Sequence, residues 1–308
     1  MSRRRVVVTG LGAVSALGLS FEESWKAMLE GRNGIGPIER FDTSEFTTKI
    51  AGSVMGYVAD EHFPPMVAKK LDFFTQFALL AADDCVADAG IDFAATDLER
   101  CGVILGTGIG GIMAIEQQHL DQIKRGPRRA SPHFIPKMMP NAMSAQISIK
   151  YGLQGTNYAT SSACASAGHA LGMALRTVQY GEADVVVAGG SEAAITPLSV
   201  AAFGTMKALS TRNDEPELAS RPFDKDRDGF VMGEGAAILL LEEREHAIAR
   251  GARIYAEFKG YGSTADAFHI TQPKEDGIGP RRAMTLALKD GEVAPDAVQY
   301  VNAHGTST

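Results

Sequence analysis

Arg5-Val6-Val7-Val8-Thr9-Gly10-Leu11-Gly12 is a basic residue, a β-branched run and a GxG turn, and the same order returns at Arg253-Ile254-Tyr255-Ala256-Glu257-Phe258-Lys259-Gly260-Tyr261-Gly262. β-branched residues favour the strand and closely spaced glycines punctuate it, so each copy reads as strand then turn. The echo indicates an internal duplication, with a first half over residues 1–251 and a shorter second half over 252–308. Further runs at Gly102–Gly106, Ala183–Gly189, Ala236–Glu242 and Ala297–Asn302 alternate with helical stretches. That alternation predicts layered α/β architecture. Ala236–Leu241 is apolar throughout, which suits a sheet covered on both faces. Within Asp72–Ala89, the residues Phe74, Ala78, Ala81 and Cys85 share one helix face, which places Cys85 in the core.

The bulk numbers exclude several classes. A chain of 308 residues with 45% hydrophobic and 22% charged residues can bury a sizeable core. Its net charge of -7 provides no overall positive field for nucleic acid. Cys85, Cys101 and Cys164 have no CxxC spacing and cannot all pair, so neither a metal site nor a disulfide framework is indicated and a reducing cytoplasm fits. The opening MSRRR and apolar run imitate a signal peptide, but Ser20-Phe21-Glu22-Glu23 is a capping box that starts a helix ending near Gly31. The uncharged stretch Tyr151–Leu175 is built from Ser, Thr, Gly and Ala and lacks the apolar bulk of a membrane span.

A dinucleotide or phosphate site is a weak competitor. Gly10-Leu11-Gly12 is followed by Ser15 where the third fingerprint glycine belongs, and Gly106-Thr107-Gly108-Ile109-Gly110-Gly111 lacks a ribose-binding acid at the expected distance. The better candidate is Thr160-Ser161-Ser162-Ala163-Cys164-Ala165-Ser166-Ala167-Gly168-His169, a strand-like stretch running into a small-residue helix. A cysteine at a helix N-terminus meets unpaired N–H groups and a dipole that favour a thiolate. From this local pattern alone, Cys164 reads equally as a nucleophile or as a buried structural cysteine. Five helical residues turn through roughly 140°, so His169 is expected to face away from Cys164 as a packed or hydrogen-bonded histidine. His304 follows a strand and sits among Asn, Gly, Ser and Thr, where loops carry functional groups.

Cys164 within Ser162–Ser166, the segment Ala183–Glu192 (ADVVVAGGSE), the run Ala208–Gly235 and the terminal Asn302–Thr308 (NAHGTST) together resemble the β-ketoacyl-acyl carrier protein synthases, most closely their synthase II branch. The resemblance spans essentially the whole chain. It implies a thiolase-like five-layer α-β-α-β-α sandwich of two duplicated halves, the second incomplete here, and a homodimer. It further implies that Cys164 takes an acyl group from acyl carrier protein and that a carbanion from malonyl-carrier protein attacks the resulting thioester, in fatty acid elongation. In this reading the Cys164 N–H contributes to the oxyanion hole and His304 stabilises the enolate. Thr306 and Thr308 match positions that hold the phosphopantetheine arm, and His269 and Thr271 match positions near its channel. Ile109, Phe134 and Phe203 fall where the family lines its acyl pocket. Lys69, Lys70, Arg128, Arg129 and Lys207 fall where it presents basic residues to the acidic carrier protein. No cofactor is implied, because the phosphopantetheine arrives on the carrier.

The family also uses a second histidine, a nearby lysine and a glycine-phenylalanine-glycine gating loop, all beyond the equivalent of Thr308 and none present here. The 308 residues alone are therefore expected to be poorly stable or inactive. The alternative is a non-catalytic partner subunit of a condensing enzyme, against which Cys164 argues, since such subunits have lost the nucleophile.

Overall fold

The computed structural model describes residues 3–308. Its centre is a six-stranded sheet made of β1 (Val6–Val14), β2 (Cys101–Gly106), β3 (Asn157–Thr160), β4 (Val185–Glu192), β5 (Gly235–Glu243) and β6 (Ala256–Glu257), in the spatial order β3-β2-β4-β5-β1-β6. β3, β2 and β4 run parallel, whereas β5, β1 and β6 each join antiparallel to their neighbours, so the sheet is mixed. The main helices are α1 (Phe21–Leu29), α2 (Phe73–Ala89), α3 (Ile112–Arg125), α4 (Phe134–Met138), α5 (Ala142–Tyr151), α6 (Ser166–Gln179), α7 (Pro197–Thr205), α8 (Arg244–Ala249) and α9 (Ile278–Asp290). None of the described helices is long and apolar enough to cross a membrane.

The period-2 alternation of the strands divides the core into two layers. Val103, Leu105, Val185, Val187, Ile238 and Leu240 pack with Phe74, Phe77 and Cys85 of α2 and with Met143 and Ile147 of α5. The alternate residues Ile104, Val186, Ala188 and Leu241 face Ala170, Ala174, Leu175 and Val178 of α6. Cys85 is a core residue, as the helix-face reading expects. One acid is buried here with full compensation: Glu242 accepts bonds from Thr9, from His246 and from two nitrogens of Arg250.

Ser20 caps α1 by accepting from the Glu23 N–H, while Glu23 returns its bond to the Leu19 N–H, so the capping box forms with its reciprocal arm one residue early. Two expectations are corrected. Gly10-Leu11-Gly12 is not a turn, because β1 continues to Val14. A Cβ at Gly12 would lie 1.9 Å from the Ala81 carbonyl oxygen, so the glycine is there to let α2 press onto the strand. The other correction concerns the second half. Arg253–Gly260 contributes only the two-residue edge strand β6, and Ala297–Asn302 is not a strand. A strand exists by pairing, and among the described residues no second sheet is built alongside these segments. The C-terminal segment instead lies against the preceding chain through α9, where Asp290 pairs with Arg3 and Arg176.

Candidate active site

β3 ends at Thr160 and α6 begins at Ser166, so five residues must reverse the chain. They do so in a tight turn in which the Ala165 N–H donates to the Ser162 carbonyl at 3.1 Å and the Ser166 N–H donates to the Ala163 carbonyl at 3.0 Å. The Ser166 hydroxyl reinforces it, donating to the Ala163 carbonyl at 2.7 Å and accepting from the Ser162 N–H at 2.8 Å. Ala163 is held in the left-handed region, with φ of 50°, a conformation that costs an L-residue about 1–2 kcal/mol. The turn seats directly on β2, because a Cβ at Gly106 would lie 2.2 Å from the Ser166 backbone carbon.

Cys164 sits in this turn and is exposed, whereas Cys85 and Cys101 are buried. Burial pushes both of those thiols up, Cys101 to about 12, so they stay protonated at neutral pH. Cys164 lies just outside α6, whose N-cap is Ala165, and the positive end of the helix dipole is at the turn. The two sequence-level options for Cys164 are thereby separated, since it is not a core residue.

Because Cys164 precedes the helix, the helical rotation expected between it and His169 does not apply. The two residues share the wall of a cavity of about 390 Å³ with Phe258, Tyr261 and Ser263. His169 is hydrogen-bonded, as expected, but toward the turn: its Nδ1 lies 2.5 Å from the Ser162 hydroxyl, and its Nε2 lies 3.2 Å from the Ser263 hydroxyl. A second, mostly apolar cavity of about 590 Å³ also reaches Cys164, between Trp25 and Met28 of α1, Leu239 of β5 and Glu192 at the end of β4.

The remaining sequence candidates occupy other places. His304 is exposed and lines neither of these two cavities among the described residues. Its segment is anchored by Ser307, which accepts from the Arg221 N–H through its hydroxyl and from the Gly229 N–H through its carbonyl. The Thr306 and Thr308 hydroxyls lie 2.6 Å apart. His269 Nδ1 accepts from the Thr271 and Gln272 N–H groups in an exposed loop. Ile109 is on the loop after β2, Phe134 begins α4 and Phe203 lies in α7, packed edge-on against Phe230. Lys69, Lys70, Arg128, Arg129 and Lys207 are all exposed, and none is in an ion pair with another described residue.

One residue at the site escaped the sequence reading as an individual. Glu192 ends the buried strand β4 and spends its carboxylate on the loop Thr107–Ile109. The signal available was an acid closing an otherwise apolar strand, which must find donors there.

Comparison with known proteins is consistent with this geometry. The chain matches the family profile described as beta-ketoacyl synthase, N-terminal domain, over residues 3–247, and the corresponding C-terminal domain over residues 255–308. It is 50% identical over 308 residues to a 3-oxoacyl-[acyl-carrier-protein] synthase 2 of Vibrio cholerae, covering 100% of this chain and 74% of that protein. A protein of the same name from Synechocystis is 49% identical over the same span. A beta-ketoacyl synthase from Burkholderia phymatum superposes with a TM-score of 0.89 at 38% identity, covering 99% of this chain and 74% of that one. A ketosynthase solved in complex with its type II polyketide synthase acyl-carrier protein and bound to a hexaketide superposes with a TM-score of 0.89 at 36% identity, with the same coverage.

Proposed function

The chain belongs to the β-ketoacyl synthase family, and from that premise we propose that it is a 3-oxoacyl-acyl carrier protein synthase in which Cys164 is the acyl-accepting nucleophile. The observation that carries the assignment is the setting of Cys164: it is the exposed cysteine of the three, in a strained turn at a helix N-terminus, beside two cavities. In the first step its thiolate attacks the carbonyl of an acyl thioester. A new C–S bond forms, the bond to the carrier's phosphopantetheine sulfur breaks, and that sulfur leaves with the proton the Cys164 thiol gave up. The backbone N–H of Cys164 would serve the developing oxyanion.

In the second step malonyl-carrier protein loses CO2, leaving the electron pair of the broken C–C bond as an enolate. The enolate carbon attacks the Cys164 thioester, a new C–C bond forms, and the C–S bond breaks to return the Cys164 thiolate and release a β-ketoacyl product on the carrier. His304 is assigned to the enolate, with Thr306, Thr308, His269 and Thr271 along the phosphopantetheine arm. Ile109, Phe134 and Phe203, which are apolar, are assigned to the acyl chain. The exposed Lys69, Lys70, Arg128, Arg129 and Lys207 are assigned to docking an acidic acyl carrier protein.

We further place two halves in the chain, 1–251 and 252–308, and a homodimer as its working form. The edge position of β3 leaves one side of its backbone unpaired and available for such pairing. Three free thiols suit a reducing cytoplasm. The deciding experiment is release of labelled CO2 from malonyl-carrier protein that depends on prior acylation of the full-length protein. CO2 release without transfer to an acyl chain, or no acyl transfer at all, contradicts the assignment.

A further inference from the structure

We infer that Glu192 is a positioning residue that clamps the loop Thr107–Gly111 against the nucleophile turn and so sets which acyl chain lengths are accepted, an inference that rests on the acyl-chain assignment above. The Glu192 Oε2 accepts from the Gly108 N–H at 2.6 Å and the Ile109 N–H at 3.2 Å, and its Oε1 accepts from the Thr107 hydroxyl at 3.1 Å. One carboxylate thus supplies three bonds to three consecutive residues. The other side of the same loop touches the turn, since the Ser161 hydroxyl donates to the Gly108 carbonyl at 3.2 Å and the Thr107 N–H donates to the Thr160 carbonyl at 3.1 Å.

The fit is one residue thick. A Cβ at Gly108 would lie 3.0 Å from the Glu192 Oε2 and 3.6 Å from the Ala163 Cα, so the loop is sandwiched between the carboxylate and the residue preceding Cys164. The far end of the loop meets the helix that carries Phe134 and leads into the cluster that holds Phe203. The Gly111 N–H donates to the carbonyl of Met138, which ends the helix that Phe134 begins, and Ile112 packs in the same cluster as Phe203. Ile109 is 40% exposed, so packing does little to fix it and its backbone bond to Glu192 does more. The half-buried Gly108 N–H, the exposed Ile109 N–H and the Thr107 hydroxyl lose their acceptor if the carboxylate is removed, and the loop must relax to find others. Ile109 then shifts relative to Cys164, and an apolar wall discriminates by methylene count only if it is held in place.

The test compares Glu192→Ala with Glu192→Gln in the full-length protein. Glu192→Gln keeps an oxygen acceptor for the two N–H groups. Acylation of Cys164 is measured with hexanoyl-, decanoyl- and myristoyl-carrier protein, alongside alkylation by iodoacetamide, which has no acyl tail. Glu192→Ala is expected to change the myristoyl-to-hexanoyl ratio of acylation rates about tenfold while alkylation stays within about twofold, and Glu192→Gln to restore the ratio. An unchanged ratio, or an equal loss for every chain and for iodoacetamide, overturns the inference. If the parent protein accepts no acyl group, the functional assignment fails instead. Should Glu192→Ala not fold, Thr107→Val removes one of the three bonds, together with the bond the Thr107 hydroxyl accepts from the Gly110 N–H, and is read in the same assay, with a shifted ratio expected and an unchanged one overturning the inference.

Discussion

His169 and Ser162 are joined by a hydrogen bond of 2.5 Å that ties the fourth residue of α6 back to the chain two residues before Cys164. The other ring nitrogen of His169 reaches the Ser263 hydroxyl, so the turn that carries Cys164 is braced from both sides. His169→Ala removes both bonds. A neutral hydrogen bond is worth about 1 kcal/mol, so the loss of two is expected to lower the acylation rate of Cys164 by up to roughly thirtyfold. Stopped-flow acylation checks it, and Ser263→Ala should give a smaller loss in the same direction.

The three thiols should separate by reactivity. Cys85 and Cys101 are buried with their thiols pushed up, and Cys164 is exposed. Under native conditions iodoacetamide should label Cys164 more than about a hundredfold faster than the other two, as read by peptide mass spectrometry. In denaturant the three should label alike. Equal native labelling would mean that Cys164 has no special setting.

Loading and condensation should come apart at His304. The residue lies outside the two cavities at Cys164, in a segment anchored through Ser307. In the full-length enzyme His304→Ala should leave acylation of Cys164 within about twofold and lower condensation by about 10²- to 10⁴-fold. Loss of loading in this variant would show that His304 acts in the first step.

Acid stability should report on Asp184. Its carboxylate accepts two bonds from Arg100 and one from Arg4, and the Arg100 bonds chiefly hold it down, to about 2. Its unfolded value is near 4. A carboxylate held low in the folded state adds stability above its unfolded value and loses it as pH falls through the folded one. The thermal midpoint of the parent protein should therefore drop more steeply than that of Asp184→Asn between about pH 4 and pH 2. Parallel curves would show that the Arg100 and Arg4 contacts do not persist in solution.

How far the sequence reveals this molecule depends on the element. The runs at Gly102–Gly106, Ala183–Gly189 and Ala236–Glu242 read correctly as strands, because apolar β-branched residues at those lengths have few other options. The helix over Phe73–Ala89 was visible in its spacing for the same reason. Gly10 and Gly12 misled, because a glycine that admits a neighbouring helix looks the same in sequence as a glycine that makes a turn. The runs near Arg253 and Ala297 have strand composition, but pairing is a property of neighbours and not of the run itself. At the site, the small-residue surroundings of Cys164 leave a nucleophile and a buried cysteine equally open, and its exposure in the turn before α6 is a property of the fold. The orientation of His169 was not legible, because it depends on α6 starting at Ser166 and not at Cys164. Glu192 was hidden for a different reason, since its partners Thr107, Gly108 and Ile109 are remote in sequence and meet it only across the parallel pairing of β2 with β4.

The central claim is that Cys164 carries the acyl group. The most direct measurement is intact-protein and peptide mass spectrometry of the full-length enzyme after incubation with acyl-carrier protein and no malonyl donor. The account predicts one acyl adduct per chain, located on the peptide containing Cys164, absent from Cys164→Ala and discharged by malonyl-carrier protein. An adduct on another residue, or one that persists in Cys164→Ala, would contradict it.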